Sequence, residues 1–158
     1  MKWVKQSIHY WCPDTKEHKF LGQNVTVAIL DTGISPHPDF KGRILSFRDF
    51  SSTTGSSEKV LFSFSHFSPL IDNSGHGTHV AGILAGSGLL SSGTYAGIAP
   101  FCNLIIGKVL DQNGNGSIKN VINGIQWIRD IYTQFHIRII NISVGTRPDL
   151  SIHQKLLL

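Results

Sequence analysis

Val25-Thr26-Val27-Ala28-Ile29-Leu30, followed at once by Asp31-Thr32-Gly33, decides the fold class. The first six residues are apolar or β-branched, with almost no polar alternation. That is the pattern of a strand buried on both faces, as in a parallel sheet. The acidic residue and the glycine that close the run mark the carboxyl end of the strand, where functional groups gather in open parallel sheets. Working outward, similar runs occur at 104–110 and 138–144, with a weaker strand candidate at 43–47. Between them lie two helical stretches. One starts near Gly75 or His76 and ends near Gly86. The other is capped by Ser117 and carries Ile118, Val121, Ile122, Ile125, Ile128, Ile131 and Tyr132 on one face. Strands alternating with helices imply right-handed crossovers and an α/β fold with a parallel sheet.

The first helical stretch opens with His76-Gly77-Thr78-His79-Val80-Ala81-Gly82. Each glycine inside a helix costs about 1 kcal/mol relative to alanine, so close packing of a central helix is the expected reason for them. A carboxylate at a strand end can accept a hydrogen bond from a histidine Nδ1–H, fixing the tautomer and stabilising the imidazolium. Asp31 and His76 are candidates for such a pair, and the chain between them is long enough for them to meet. The positive end of the helix dipole is expected to oppose protonation of His76 and keep it a neutral base.

Composition bounds the remaining classes. The chain has 158 residues, 41% hydrophobic and 15% charged, with a net charge of +4. It reads as one globular domain with a real core. Lys and Arg are scattered, so no nucleic-acid or membrane partner is expected. No apolar run approaches the roughly 18 residues of a membrane span. The first residues show no signal-peptide pattern, which points to the cytoplasm, while secretion of a longer parent protein stays open. Cys12 and Cys102 form no metal or redox motif. A disulfide between them stays open, and a reducing compartment is the simpler reading.

With these motifs in view, the chain resembles the subtilisin-like serine peptidases, the subtilases, and is similar to their intracellular bacterial branch. The resemblance rests on Val27-Ala28-Ile29-Leu30-Asp31-Thr32-Gly33-Ile34, His37-Pro38-Asp39, Asn73 to Gly82, Gly97-Ile98-Ala99-Pro100, Lys108-Val109-Leu110 and Asn141-Ile142-Ser143-Val144-Gly145, in the family's order. It implies a three-layer fold, a parallel sheet flanked by helices, incomplete at the C-terminus. Residues 1–23 are expected to be a polar, irregular N-terminal extension, and 24–158 part of the catalytic domain.

The resemblance also implies roles. Asp31 is the triad acid and His76 the general base. His79 matches a structural position, expected to be buried. Gly114, Asn115 and Gly116 match an edge that pairs with extended peptide by strand addition. Ser143, Val144 and Gly145 match the opposite wall of the groove, and Leu110 lines a side-chain pocket. The partners implied are peptides or proteins. The strand at 138–144 is expected beside the first strand, as an apolar edge.

The family's nucleophilic Ser lies in a downstream Gly-Thr-Ser motif. Here Gly93-Thr94-Tyr95 and Gly145-Thr146-Arg147 do not match it, and no oxyanion Asn is matched. The 158 residues alone are therefore expected to be inactive. The alternatives are a peptide-binding remnant or one half of a split protease, completed by a C-terminal chain.

Three other readings of the motifs are set aside. The aspartic-peptidase reading of Asp-Thr-Gly needs an all-β fold. Residues 111–122 start like an EF-hand but end in Ile122 instead of a bidentate Glu. His76, His79 and Asp72 lack the Glu of a metallopeptidase. Some subtilases bind calcium and Asp39 matches one ligand position, but one carboxylate predicts no site, so no cofactor is expected.

Overall fold

The computed structural model describes residues 2–8, 10, 20–51, 60–61 and 72–145. Their elements, in order, are α1 (Lys2–Ser7), β1 (Thr26–Asp31), β2 (Ile44–Asp49), β3 (Val60–Leu61), α2 (His76–Ala85), β4 (Asn103–Lys108), α3 (Ile118–Ile131) and β5 (Ile137–Ile142). The expectations for Cys12, for Phe62, Phe64 and Phe67, and for the leucine-rich end fall outside the described residues. No helix among the described residues is long and apolar enough to cross a membrane.

The five strands form one sheet in the order β3-β2-β4-β1-β5. β1 is an interior strand, parallel to β4 on one side and to β5 on the other. β2 runs parallel to β4, whereas β3 is antiparallel to β2, so the sheet is mixed at that margin and not parallel throughout. β1 is buried along its whole length, as its unbroken apolar run requires. β5 pairs with β1 alone among the described residues and exposes Ile139, Ile140 and Ile142.

Side-chain alternation along β1 and β4 assigns the helices to layers. Val27, Ile29, Leu104 and Ile106 pack with Ala81 and Ala85 of α2. Ala28, Leu30 and Ile105 pack with Trp127 and Ile128 of α3. The two helices therefore cover opposite faces, giving three layers. Asp31 has the parity of Val27 and Ile29, so its side chain emerges on the α2 face.

Three local expectations are corrected. Residues Lys2–Ser7 are helical, not irregular. The face of α3 is rotated from the one its isoleucines suggest. Gly124, Trp127 and Ile128 are buried, while Ile118, Ile122, Ile125 and Tyr132 are exposed. The cause is a close approach at Gly124, where a Cβ would lie 3.0 Å from a Leu30 methyl and 3.1 Å from a Val109 methyl. The α2 glycines also divide. Gly77 has no room for a side chain, whereas a Cβ on Gly82 meets nothing within 4 Å. Helix packing accounts for the first and not for the second. The Ser117 cap forms as expected, its Oγ accepting the Asn120 N–H at 3.1 Å.

Candidate active site

Asp31 ends β1 with its side chain fully buried (0% exposed). The main chain there is held firmly, because the Asp31 carbonyl accepts the N–H groups of Val109 and Leu110 just past β4. Its carboxylate Oδ1 accepts the Thr32 N–H at 2.6 Å and His76 Nδ1 at 2.8 Å. Oδ2 is buried and has no hydrogen-bond partner among the described residues. An ionised carboxylate can only accept, so the proton of the shared bond sits on His76 Nδ1 and the lone pair is left on Nε2. The imidazole is 52% exposed. The two residues that sequence reasoning paired are therefore in contact, one sealed in the sheet and the other open at the surface.

The hydrogen bond and negative charge of Asp31 raise the His76 pKa above its ordinary value, against a smaller opposing effect of burial, and Asp72 adds to the rise. The lowering expected from the helix dipole does not prevail. Its physical reason is visible in the first turn of α2, where the anionic Asp72 accepts the Gly75 and Thr78 N–H groups and offsets the positive end. A raised folded-state pKa contributes stability that is fully present below the unfolded value of about 6.5 and is lost as pH rises through the folded value. The urea midpoint is expected to fall as the pH rises above 6.5, with a smaller fall in His76→Gln. Solvent screening of the half-exposed ring keeps this to about 1 kcal/mol or less.

The other anticipated positions follow from strand order. Since β4 and β5 flank β1, the segments that leave their carboxyl ends lie on either side of Asp31. Past β4, Leu110 is half-buried against the α3-side core. Gly114, Asn115 and Gly116 are exposed in a turn closed by Asp111, whose Oδ1 accepts the Asn113 and Asn115 N–H groups. Gly114 has φ +76°, and a Cβ on Gly116 would lie 2.5 Å from the Val109 carbonyl, so both need to be glycine for the turn itself. Past β5, Ser143, Val144 and Gly145 are exposed, and Ser143 Oγ donates to Asn141 Oδ1 at 2.8 Å. His79 is exposed, not buried, because it faces away from the sheet one turn beyond His76.

Two residues at the site were given no structural role from the sequence. Lys108 is 6% exposed, and its Nζ donates to the carbonyls of Thr32 (2.5 Å) and Leu110 (3.0 Å), tying the β1 turn to the end of β4. A charge closing an apolar strand was the available signal. Asp72 was weighed only as a metal ligand, yet its carboxylate is taken up by hydrogen bonds. Among the described residues no three His, Cys, Asp or Glu side chains converge to hold a metal.

Asp39 can be tested for calcium by the chemistry of its neighbours. Its Oδ2 accepts the Gly88 N–H at 2.9 Å and its Oδ1 the Leu90 N–H at 3.3 Å. Its carbonyl accepts the Ser87 N–H and a guanidinium N–H of Arg43, which also donates to the carbonyls of Ala85 and Cys102. Calcium needs six to eight oxygen ligands. The partners here are hydrogen-bond donors and a fixed cation, so these residues do not fit calcium.

A sequence profile described as the subtilase family matches residues 22–155. Serine protease AprX of Bacillus subtilis is 47% identical over 106 residues, covering 67% of this chain and 21% of that protein. The major intracellular serine protease of the same organism is 37% identical over 131 residues, covering 82% of this chain and 36% of its own. The solved structure of the CspB protease of Clostridium perfringens superposes with a TM-score of 0.70 at 26% identity, over 84% of this chain and 31% of that one. The chain thus spans about a fifth to about a third of the length of these relatives. Strand order, the paired Asp31 and His76, and these likenesses agree: the chain belongs to the subtilase family of serine peptidases.

Proposed function

We propose that these residues supply the acid and the base of a serine endopeptidase that cleaves peptides or proteins through an acyl-enzyme. The observation that carries the reading is the 2.8 Å bond between His76 Nδ1 and the buried Asp31 carboxylate. His76 Nε2 takes the proton of an attacking serine hydroxyl and later returns it to the leaving amine. Asp31 holds the ring in the productive tautomer and stabilises the imidazolium formed in between. In this reading residues 24–158 are part of the catalytic domain and 1–23 an arm upon it. The arm is tied down by Tyr10, whose hydroxyl donates to the Ile98 carbonyl at 2.6 Å.

Gly114, Asn115 and Gly116 on one side, and Ser143, Val144 and Gly145 on the other, offer main-chain groups to an extended peptide, with Leu110 below them. The serine and the oxyanion donor come from chain beyond these 158 residues, in the same polypeptide or a second one. The test is hydrolysis of a peptide substrate by the 158-residue chain, alone and mixed with a subtilase C-terminal chain that carries Gly-Thr-Ser. The expected outcome is none alone and hydrolysis on mixing, abolished by His76→Ala. Hydrolysis by the 158 residues alone that survives His76→Ala would refute it. Peptide binding without turnover in the mixture would favour a binding remnant.

Asp39 has its own part in this reading. It fastens the segment that follows α2 directly through Gly88 and Leu90, in place of a calcium ion. Thermal unfolding should be unchanged by EDTA or added calcium, and a rise in Tm with calcium would count against it.

A further inference from the structure

We propose that Asp72 is the positioning residue that sets Asp31 and His76 in register. Its catalytic meaning rests on the function proposed above, while its geometry stands apart from it. Asp72 is 9% exposed, and its two oxygens accept four hydrogen bonds. Oδ1 takes the Thr32 hydroxyl at 2.8 Å and the Gly75 N–H at 2.9 Å. Oδ2 takes the Thr78 N–H at 2.8 Å and the Thr78 hydroxyl at 2.5 Å. An ionised carboxylate has about four acceptor positions, so its capacity is filled.

The donors are distributed in a telling way. Thr32 directly follows Asp31 and gives its own N–H to the Asp31 carboxylate. Gly75 and Thr78 lie on either side of His76. One side chain therefore grips the turn that carries the acid and the helix start that carries the base. Thr32 closes the loop, its Oγ accepting the Gly77 N–H at 2.9 Å. The Ser35 N–H adds a further tie to the Thr78 hydroxyl at 2.9 Å. The hydrogen bonds from Thr78, Thr32 and Gly75 outweigh burial, which acts in the opposite sense, and hold the Asp72 carboxyl below its ordinary pKa. The anion is thus present throughout the range in which His76 titrates.

Asparagine keeps the volume of Asp72 but turns an NH₂ group toward one backbone N–H and one hydroxyl, so whichever way it is placed one N–H bond is lost and one hydroxyl must turn from donor to acceptor. The register of the His76–Asp31 bond should loosen with them. The charged groups facing His76 are Asp31 and Asp72, so loss of the Asp72 charge must be separated from loss of its grip. Thr32→Val does this, because it cuts the link from Asp72 to the Asp31 turn, together with the Gly77 N–H bond to Thr32, and leaves the carboxylate and its three bonds to α2 in place.

The experiment is an NMR titration of His76 in the 158-residue chain, or in its complex with a C-terminal chain where solubility requires one. Circular dichroism confirms the fold of each variant. In Asp72→Asn and in Thr32→Val the His76 pKa should fall toward the ordinary value of about 6.5, and its Nδ1–H resonance should broaden. Thr32→Ser should behave as the parent. A merely structural role would lower Tm and leave the titration of the folded protein untouched, which overturns the proposal. Should Asp72→Asn fail to fold, Thr32→Val alone decides. Failure of the underlying reading looks different: parent His76 would then titrate identically with and without Asp31→Asn.

Discussion

Replacing Gly77 by alanine should cost the fold about 3 kcal/mol or more, toward the upper end of what overpacking a tight interior produces. A Cβ at this position would stand 2.2 Å from the Gly33 carbonyl oxygen, 3.1 Å from its nitrogen and 3.2 Å from Asp31 Oδ1. The obstacle is main chain just past the end of β1, which cannot swing aside as a side-chain tip can. α2 must lift away from the turn, stretching the Gly77 N–H bond to Thr32 and the His76 bond to Asp31. Urea unfolding measures the loss directly. Gly82→Ala is the control on the same helix. With nothing within 4 Å of its Cβ, it should be neutral or should gain up to about 1 kcal/mol from helix propensity. Equal losses at both glycines would show that propensity, not contact with the Asp31 turn, governs this helix.

In a complete catalytic domain built on these residues, His76→Ala is expected to lower kcat by about 10⁶, a magnitude established in subtilisin itself. Asp31→Asn should lower it by about 10⁴, since the base remains but in the wrong tautomer. KM should change little in either, because neither side chain forms the walls past β4 and β5. The exposed His79 provides the contrast, and His79→Ala should retain activity. Steady-state kinetics on the three variants separate base, orienting acid and bystander.

What could be read from the chain followed the range of the interaction involved. The contact of Asp31 with His76 was legible because each is marked by its immediate neighbours, an apolar run before one and a glycine-rich helix start after the other. β1 was legible as an interior strand because a run apolar on both faces has few places to go. The outward rotation of α3 was not, since isoleucine content suggests a face and only the contact of Gly124 with Leu30 and Val109 chooses it. The exposure of His79 was missed for a related reason: a histidine in an apolar helix looks buried until the packed face is known. Asp72 was beyond reach because its donors come from two segments that the chain keeps apart.

The place of β1 in the sheet has a consequence in time. Thr26 is paired with Asn103 on one side and Ile137 on the other. β1, which ends in Asp31, is thus made before both of its neighbours, with α2 and His76 also emerging before either. Pairings so distant in sequence are slow to form and leave an apolar strand unprotected meanwhile. On a ribosome, Asp31 and His76 are both made before β4 and then β5 are delivered, so the sheet that seals Asp31 closes only after both residues have emerged.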